Sequence, residues 1–547
     1  VLTYQDYADP DGAATRGPVA SARRQTLGDL PRRSAVRYPD KEAIIDGPTR
    51  LTFAQFDAQI DLAAAALHAA GLRQGDRLLL FSHNCWQFPV MIFAAARRGI
   101  IAVPVNYMLG PAEIAYLIDH SEAAAIVAED ALAATADAAL AQATAAMRLK
   151  VAISFELDAA PDGWTGFDEW IASDHPAPPE VVVGDEDPVR IMYTSGTESR
   201  PKGVLLSSRS LLWQYTSCIV SGGMEARDRE VHALPLYHCA QLDNFLSTDI
   251  FLGATSVILR RPDPEQILRA IERERISNLF CPPTIWTALL QSPTFGTTDL
   301  STLRKAYYGA SAMPVEVLNT LQARLPDIRF WNFYGQTEMA SLATALDPED
   351  QRLYPGSAGL PVLNVETRIV DADDRPAPVG QVGEIVHRSP HAALGYYRDP
   401  AKTAEAFRGG WFHSGDLGYF APSGHLYVVD RIKDMIKTGG ENVASREVEE
   451  VLYSHPRVSE AAVFGVDHPD WIEMVVAVVV ARPGDELDPR EVIRYCRARL
   501  AGYKTPKQIV IADELPKTAS GKILKRELRR LYADAGQNAA HGRLATS

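Results

Sequence analysis

The chain has little cysteine, no excess of positive charge and no long apolar run, and each shortage excludes a class of protein. Its 547 residues hold five cysteines, Cys85, Cys218, Cys239, Cys281 and Cys496. They are odd in number, scattered, and never spaced as CxxC, which excludes a disulfide framework and a structural zinc site and fits a reducing cytoplasm. They read as packing residues. Fifty-five Lys and Arg stand against 69 Asp and Glu, a net charge of −14, so nucleic acid is not an expected partner. The longest apolar run, Met474 to Ala481, is far below the roughly 20 residues of a membrane span. The stretch Val1 to Gly12 is acidic and has no apolar core, so no signal peptide is expected there. Gly and Pro number 37 and 36, too few for a collagen-like or disordered chain. What remains is ordinary globular composition, long enough for three or four modules at about 150 residues each.

Periodicity gives the modules a character. Phe53, Phe56, Ile60, Ala63 and Leu67 recur at helical spacing and stop at Gly71, which predicts an amphipathic helix. A strand over 77–81, a helix to about Arg98 and a strand over 100–105 follow, the alternation of a parallel α/β sheet. The Ala-rich stretch 123–147 predicts surface helix, and 158–188, rich in Pro, Gly and acid, predicts a long loop. A second α/β pass runs from Arg190 to about Leu346. Beyond Pro355 short strands over 366–370 and 384–387, with turns at Asp373-Asp374 and Pro378 to Gly380, predict antiparallel β and a small barrel. After Asp430-Arg431 comes a compact α+β segment, with a helix over 445–453, and the small polar residues from Ala533 on read as a mobile tail.

Five motifs stand on this frame. Tyr193-Thr194-Ser195-Gly196-Thr197-Glu198-Ser199-Arg200-Pro201-Lys202-Gly203 follows an apolar strand. Its hydroxyls and backbone N–H groups suit phosphate oxygens, although Lys202 precedes the closing glycine, so it is not a Walker A loop. Trp331-Asn332-Phe333-Tyr334-Gly335-Gln336-Thr337-Glu338, His413-Ser414-Gly415-Asp416, Asp430-Arg431-Ile432-Lys433-Asp434 and Pro516-Lys517-Thr518-Ala519-Ser520-Gly521-Lys522 come after it. Each alone reads as readily as a polar turn or a solvated charge. All five in this order do not.

Together with Pro235-Leu236-Tyr237-His238 and Tyr308-Gly309-Ala310-Ser311, these motifs resemble the ANL superfamily of adenylate-forming enzymes, on the fatty-acyl and 4-coumarate type CoA ligase branch. The resemblance spans about Leu51 to Lys525. It implies an α/β fold with a large N-terminal domain over 1–430, made of two layered α/β sheets and a small β-barrel. A small mobile α+β domain over 434–547 would carry the adenylation lysine, with a hinge at 431–433. It also implies a two-step reaction. A carboxylate attacks the α-phosphate of ATP to give acyl-AMP and pyrophosphate; the thiol of coenzyme A then displaces AMP.

By the same resemblance, Thr194, Ser195, Gly196, Thr197 and Lys202 would hold the β- and γ-phosphates, Thr337 the α-phosphate and Glu338 a Mg²⁺ ion. Lys522 would bridge carboxylate and α-phosphate, and His238 would stand beside the carboxylate. Asp416 and Arg431 would take the ribose; Tyr334, Asn332 and the backbone at Gly309, Ala310 and Ser311 would take adenine. Lys433 would be the hinge, and Lys437 with the loop through Gly439 and Gly440 would line the pantetheine tunnel. Tyr237, Phe245, Tyr308 and Met339 would flank a pocket for an apolar or aromatic acid. Lys504 to Arg530 carries eight Lys and Arg against three Asp and Glu, a helix face in contact with water or a landing surface for the coenzyme phosphates.

One departure matters. Glu198-Ser199 stands where the family has Thr-Gly, which puts an acid into a phosphate loop. Glu198 is expected to turn outward and leave both steps intact; otherwise the enzyme would only thioesterify a preformed acyl-adenylate. A free-standing adenylation domain serving a carrier protein, a luciferase and a non-catalytic nucleotide binder share parts of the motif set. The first would want an acid after His238 for a substrate ammonium, for which Asp243 is a weak candidate.

Overall fold

The computed structural model describes residues 22–157, 159–194 and 200–533. Among them, two large sheets carry the N-terminal part. One runs through eight strands in the order Gly395–Tyr396, Lys202–Ser207, Pro188–Thr194, Ile101–Pro104, Arg77–Phe81, Ala123–Glu129, Leu149–Ile153 and Thr165–Gly166. From Pro188–Thr194 to Thr165–Gly166 every pairing is parallel. The other has nine strands; Arg329–Tyr334, Lys305–Gly309, Asn278–Phe280, Arg229–His232, Thr255–Ile258 and Glu42–Asp46 form its parallel centre. Parallel strands need crossover helices, so apolar layers cover these sheets.

The helix predicted from Phe53 runs over Phe53–Ala69 and buries Phe53, Phe56, Ile60, Ala63 and Leu67. It starts on a reciprocal cap, in which Thr52 Oγ1 accepts the Gln55 N–H (3.2 Å) and Gln55 Oε1 accepts the Thr52 N–H (2.8 Å). Two orphan amide donors are satisfied there at once.

The Ala-rich stretch is corrected by the structure. Ala123–Glu129 is a fully buried strand between Arg77–Phe81 and Leu149–Ile153, and helix is confined to Ala133–Leu140. Alanine's helix propensity lost to the space between two strands, where a small side chain packs on both faces. The expected loop over 158–188 likewise contains a short strand, Thr165–Gly166, and a helix, Phe167–Ala172, which buries Phe167 and Trp170.

Where the sequence predicted a small β-barrel, four antiparallel strands pair in the order Glu366–Val370, Gly383–Arg388, Phe412–Phe420 and Leu426–Arg431. Residues from Ile436 build a further sheet, in which Val458–His468 and Ile472–Ala481 form the longest ladder. Helices Ser445–Tyr453 and Pro489–Arg497 pack on one face of it and Lys525–Leu531 on the other. This unit touches the N-terminal part at defined points. Thr284 Oγ1 donates to Gly521 O (3.0 Å), Arg446 reaches Val428 O (2.6 Å) and Gly356 O (3.2 Å), and Ser445 donates to Asp430 Oδ2 from N and Oγ.

Candidate active site

The site gathers where the parallel strands of the nine-stranded sheet end, the crevice position expected of α/β folds. Strand Lys305–Gly309 ends in Gly309, where a Cβ would meet Phe333 O at 2.4 Å, and Ala310 follows at φ +63°. The backbone there is pressed against strand Arg329–Tyr334 and then turned outward, leaving Ala310 and Ser311 exposed. Asn332 turns its Nδ2 to Ser357 O (3.0 Å).

Strand pairing puts Asp416 directly opposite Arg431. Arg431 Nε lies 3.3 Å from Asp416 Oδ1, and Tyr334 donates its O–H to Oδ2 (2.8 Å). Burial first, and then the Asp416 charge, pushes the Tyr334 phenol far above its ordinary pKa, so it stays a donor.

Lys522 arrives from the C-terminal unit on the loop that Thr284 pins. The residue stays exposed to water, with Arg431, Lys433, Asp416 and Asp434 within electrostatic reach. Burial, with Arg431 and Lys433 as neighbouring cations, pushes its pKa down to about 7 against the pull of Asp416 and Asp434. Burial also lowers His238 to about 4, with the Lys522 charge adding to it. His238 Nδ1 accepts the Ala240 N–H (3.2 Å), which assigns the proton of the neutral ring to Nε2. A neutral imidazole with Nε2–H can donate to a carboxylate.

Glu338 Oε1 accepts from the Tyr396 O–H (2.8 Å), and Lys202 Nζ stands 5.2 Å from the centre of the Tyr396 ring. Strand Gly395–Tyr396 pairs with Lys202–Ser207, which brings the lysine of one motif and the acid of another to one aromatic ring. Nothing in the spacing of the motifs pointed to Tyr396. Thr337 Oγ1 lies 3.2 Å from Cys239 Sγ. All five cysteines are buried and free, and burial pushes the Cys239 thiol up to about 12, which rules out a thiolate nucleophile at neutral pH.

Not every expected residue joins this group. Ser195, Gly196, Thr197, Glu198 and Ser199 lie outside the described residues; Thr194 and Lys202, which flank them, are cross-strand partners. Lys437 lies in strand Ile436–Thr438, and Gly439 (φ +59°) and Gly440 (φ +88°) form the two-residue hairpin after it, with open space around both. Two consecutive left-handed residues are what a tight hairpin of this hand requires. Lys433 follows Arg431 in a short 3-10 turn, Ile432–Asp434, its pKa lowered by burial and then by Arg431.

Among the expected acyl neighbours, Tyr237 is half-buried, its ring edge-on to Tyr107 (5.3 Å), which stacks on His83 (3.8 Å). Phe245 and Met339 are wholly buried, Phe245 stacked on Phe280 (4.4 Å) and Phe333 (5.8 Å). Tyr308 faces the opposite side of its strand, with its O–H on Gln351 Oε1 (2.7 Å). Asp243 is fully buried in an ion pair with Arg190 and accepts the Tyr215 O–H (3.0 Å).

This arrangement is that of an AMP-forming acid–thiol ligase, and the chain belongs to the AMP-binding enzymes. The model of the AMP-binding enzyme family matches residues 31–397, and that of the AMP-binding enzyme C-terminal domain matches 447–522. The chain is 37% identical to a feruloyl-CoA synthase of Amycolatopsis over 510 residues, 93% of this chain and all of that protein. It is 33% identical to an indoleacetate–CoA ligase of Aromatoleum aromaticum, over 92% of this chain and 96% of that one. Its fold matches the crystal structure of the anthranilate CoA ligase AuaEII with anthranoyl-AMP at a TM-score of 0.88 and 26% identity, covering 95% and 99% of the two chains. The motif resemblance and the α/β fold with its C-terminal unit hold. Among the described residues no helix is long and apolar enough to cross a membrane.

Proposed function

We propose that this ligase activates an aromatic carboxylic acid with ATP and passes the aroyl or arylacyl group to coenzyme A, both steps at the cleft between residues 1–430 and 434–547. The observation that carries the reading is the position of Lys522. A loop of the C-terminal unit delivers one ammonium within electrostatic reach of Asp416, Arg431 and His238, residues that come from three separate motifs.

In the first step an acid oxygen forms a bond to the α-phosphorus and the bond to pyrophosphate breaks. Negative charge must be brought together for this, and preorganised donors meet it. Lys522 lies between carboxylate and α-phosphate as a point charge, His238 donates Nε2–H to the carboxylate, and Thr337 donates to the α-phosphate. Lys202, with Thr194 to Thr197, holds the outgoing phosphates, and Asp416 and Arg431 hold the ribose. Adenine lies by Tyr334, Asn332 and Gly309 to Ser311.

Among the described residues no group of three or more His, Cys, Asp or Glu could hold a metal ion. Mg²⁺ is bound through one or two carboxylates plus substrate phosphates; Glu338, whose Oε1 accepts from the Tyr396 O–H, is the carboxylate that would hold it here. The ion would neutralise phosphate charge as pyrophosphate leaves.

In the second step the thiol sulfur attacks the acyl carbon and AMP departs with its phosphate oxygen. Lys522 is needed beside the α-phosphate in the first step and would obstruct the thiol in the second, so the C-terminal unit turns about Lys433 and brings Lys437, Gly439 and Gly440 toward the pantetheine arm.

Two observations support an aromatic acid. Tyr237, next to His238, continues into the Tyr107 and His83 rings, and the names of the feruloyl, indoleacetate and anthranilate enzymes are those of aryl acids. Asp243, paired with Arg190 and Tyr215, is not available to a substrate ammonium, which speaks against amino-acid activation. The test is ATP-dependent consumption of coenzyme A thiol with hydroxycinnamic, arylacetic, benzoic and long-chain fatty acids. Preference for a fatty acid over every aryl acid would refute the substrate class; AMP release without thioester would refute the acceptor.

A further inference from the structure

The Asp416 carboxylate is held by a residue to which the motif reading gave no role. Gln336 donates from Nε2 to Asp416 Oδ2 (2.9 Å) and to the Tyr334 phenol oxygen (2.8 Å), while Tyr334 donates its own O–H to the same Oδ2 (2.8 Å). Three groups thus close a triangle on one carboxylate oxygen. The other, Oδ1, faces Arg431 Nε. Each carboxylate oxygen accepts about two hydrogen bonds, so Oδ2 is filled and Oδ1 keeps room for one more donor.

The amide's orientation is dictated by charge. Turned over, Gln336 would set Oε1 against the carboxylate, acceptor on acceptor. Held as it is, Oε1 is buried with no hydrogen-bond partner among the described residues. An orphaned buried acceptor is costly, and the fold holds the amide in place against that cost.

We propose that Gln336 is a positioning residue of the ribose site: its amide fixes the Asp416 carboxylate so that Oδ1, beside Arg431, is presented to the ribose hydroxyls. The inference rests on the reading of Asp416 as the ribose acceptor. Without the Gln336 donor only the Tyr334 phenol anchors Oδ2, and Asp416 is free to turn into Arg431.

The test measures the affinities of ATP and 2′,3′-dideoxy-ATP for the wild type, Gln336→Met and Gln336→Leu. Loss of one positioned hydrogen bond predicts about fivefold weaker ATP binding in both variants. Binding of 2′,3′-dideoxy-ATP should stay at the wild-type level, since it has no hydroxyl for Asp416 to read. That unchanged affinity also shows that the variant site is folded. If a variant discriminates between the two nucleotides as strongly as the wild type, the proposal is wrong. Equal loss of both nucleotides overturns it as well, because Gln336 would then support the site at large. If the wild type binds the two alike, it is the ribose reading of Asp416 that fails, and the positioning role falls with it.

Discussion

Raising the pH should switch off adenylation through Lys522, and the size of the effect follows from the cleft. An ordinary lysine keeps its charge to pH 10.5, whereas burial and then the Arg431 and Lys433 cations bring Lys522 to about 7. The group is a base, so its charged form is present below that value and is lost above it. In the free enzyme only about one hundredth of Lys522 is charged at pH 9, against half at pH 7, and kcat/KM for ATP in pyrophosphate exchange should fall about fiftyfold between them. Bound ATP reverses the local field. A unit negative charge about 4 Å away contributes about 4 kcal/mol at an effective dielectric of 20, or about three pK units. The alkaline limb of kcat should therefore move to about pH 10, roughly three units above that of kcat/KM. Lys522→Arg, always charged, should lose activity but also lose the limb near pH 7. Matching alkaline limbs in the two wild-type profiles, or a flat kcat/KM from pH 7 to 9, would refute the reasoning.

Other variants separate the half-reactions. Lys522→Ala should abolish pyrophosphate exchange and spare thioester formation from supplied acyl-AMP; equal loss of both would contradict a charge that serves only the first step. Lys433→Pro, with φ held near −65°, should leave exchange intact and slow transfer to coenzyme A; normal rates for both would put the hinge elsewhere. Asp416→Ala should raise the KM for ATP at least about tenfold, the worth of a charged hydrogen bond, and unchanged nucleotide affinity would sink the ribose assignment. Robust exchange in the wild type, little altered by Glu198→Thr with Ser199→Gly, is expected if Glu198 turns away from the phosphates. Absent exchange alongside fast thioester formation from synthetic acyl-AMP would show that the acid silences the first step.

The sequence by itself determined the class. The five motifs lie in chain order and as a set resemble the adenylate-forming enzymes, so the ligase could be read before any contact was known. It also determined elements whose pattern is local, such as the amphipathic helix from Phe53 and the strand Glu366–Val370. What only the tertiary structure decided are the pairings between distant segments. Tyr396 joins Glu338 across 58 residues because strand Gly395–Tyr396 lies along Lys202–Ser207. Gln336 meets Asp416 across 80 residues, and Arg190 takes Asp243 out of reach of a substrate across 53. Tyr307 and Tyr308 point to opposite faces of their strand, and only the structure shows that the first borders the aromatic core while the second meets Gln351. The Ala-rich strand at 123–129 was hidden for the same reason. Helix propensity is a few tenths of a kcal/mol per residue and local, while burial between two strands acts through neighbours that sequence order does not reveal.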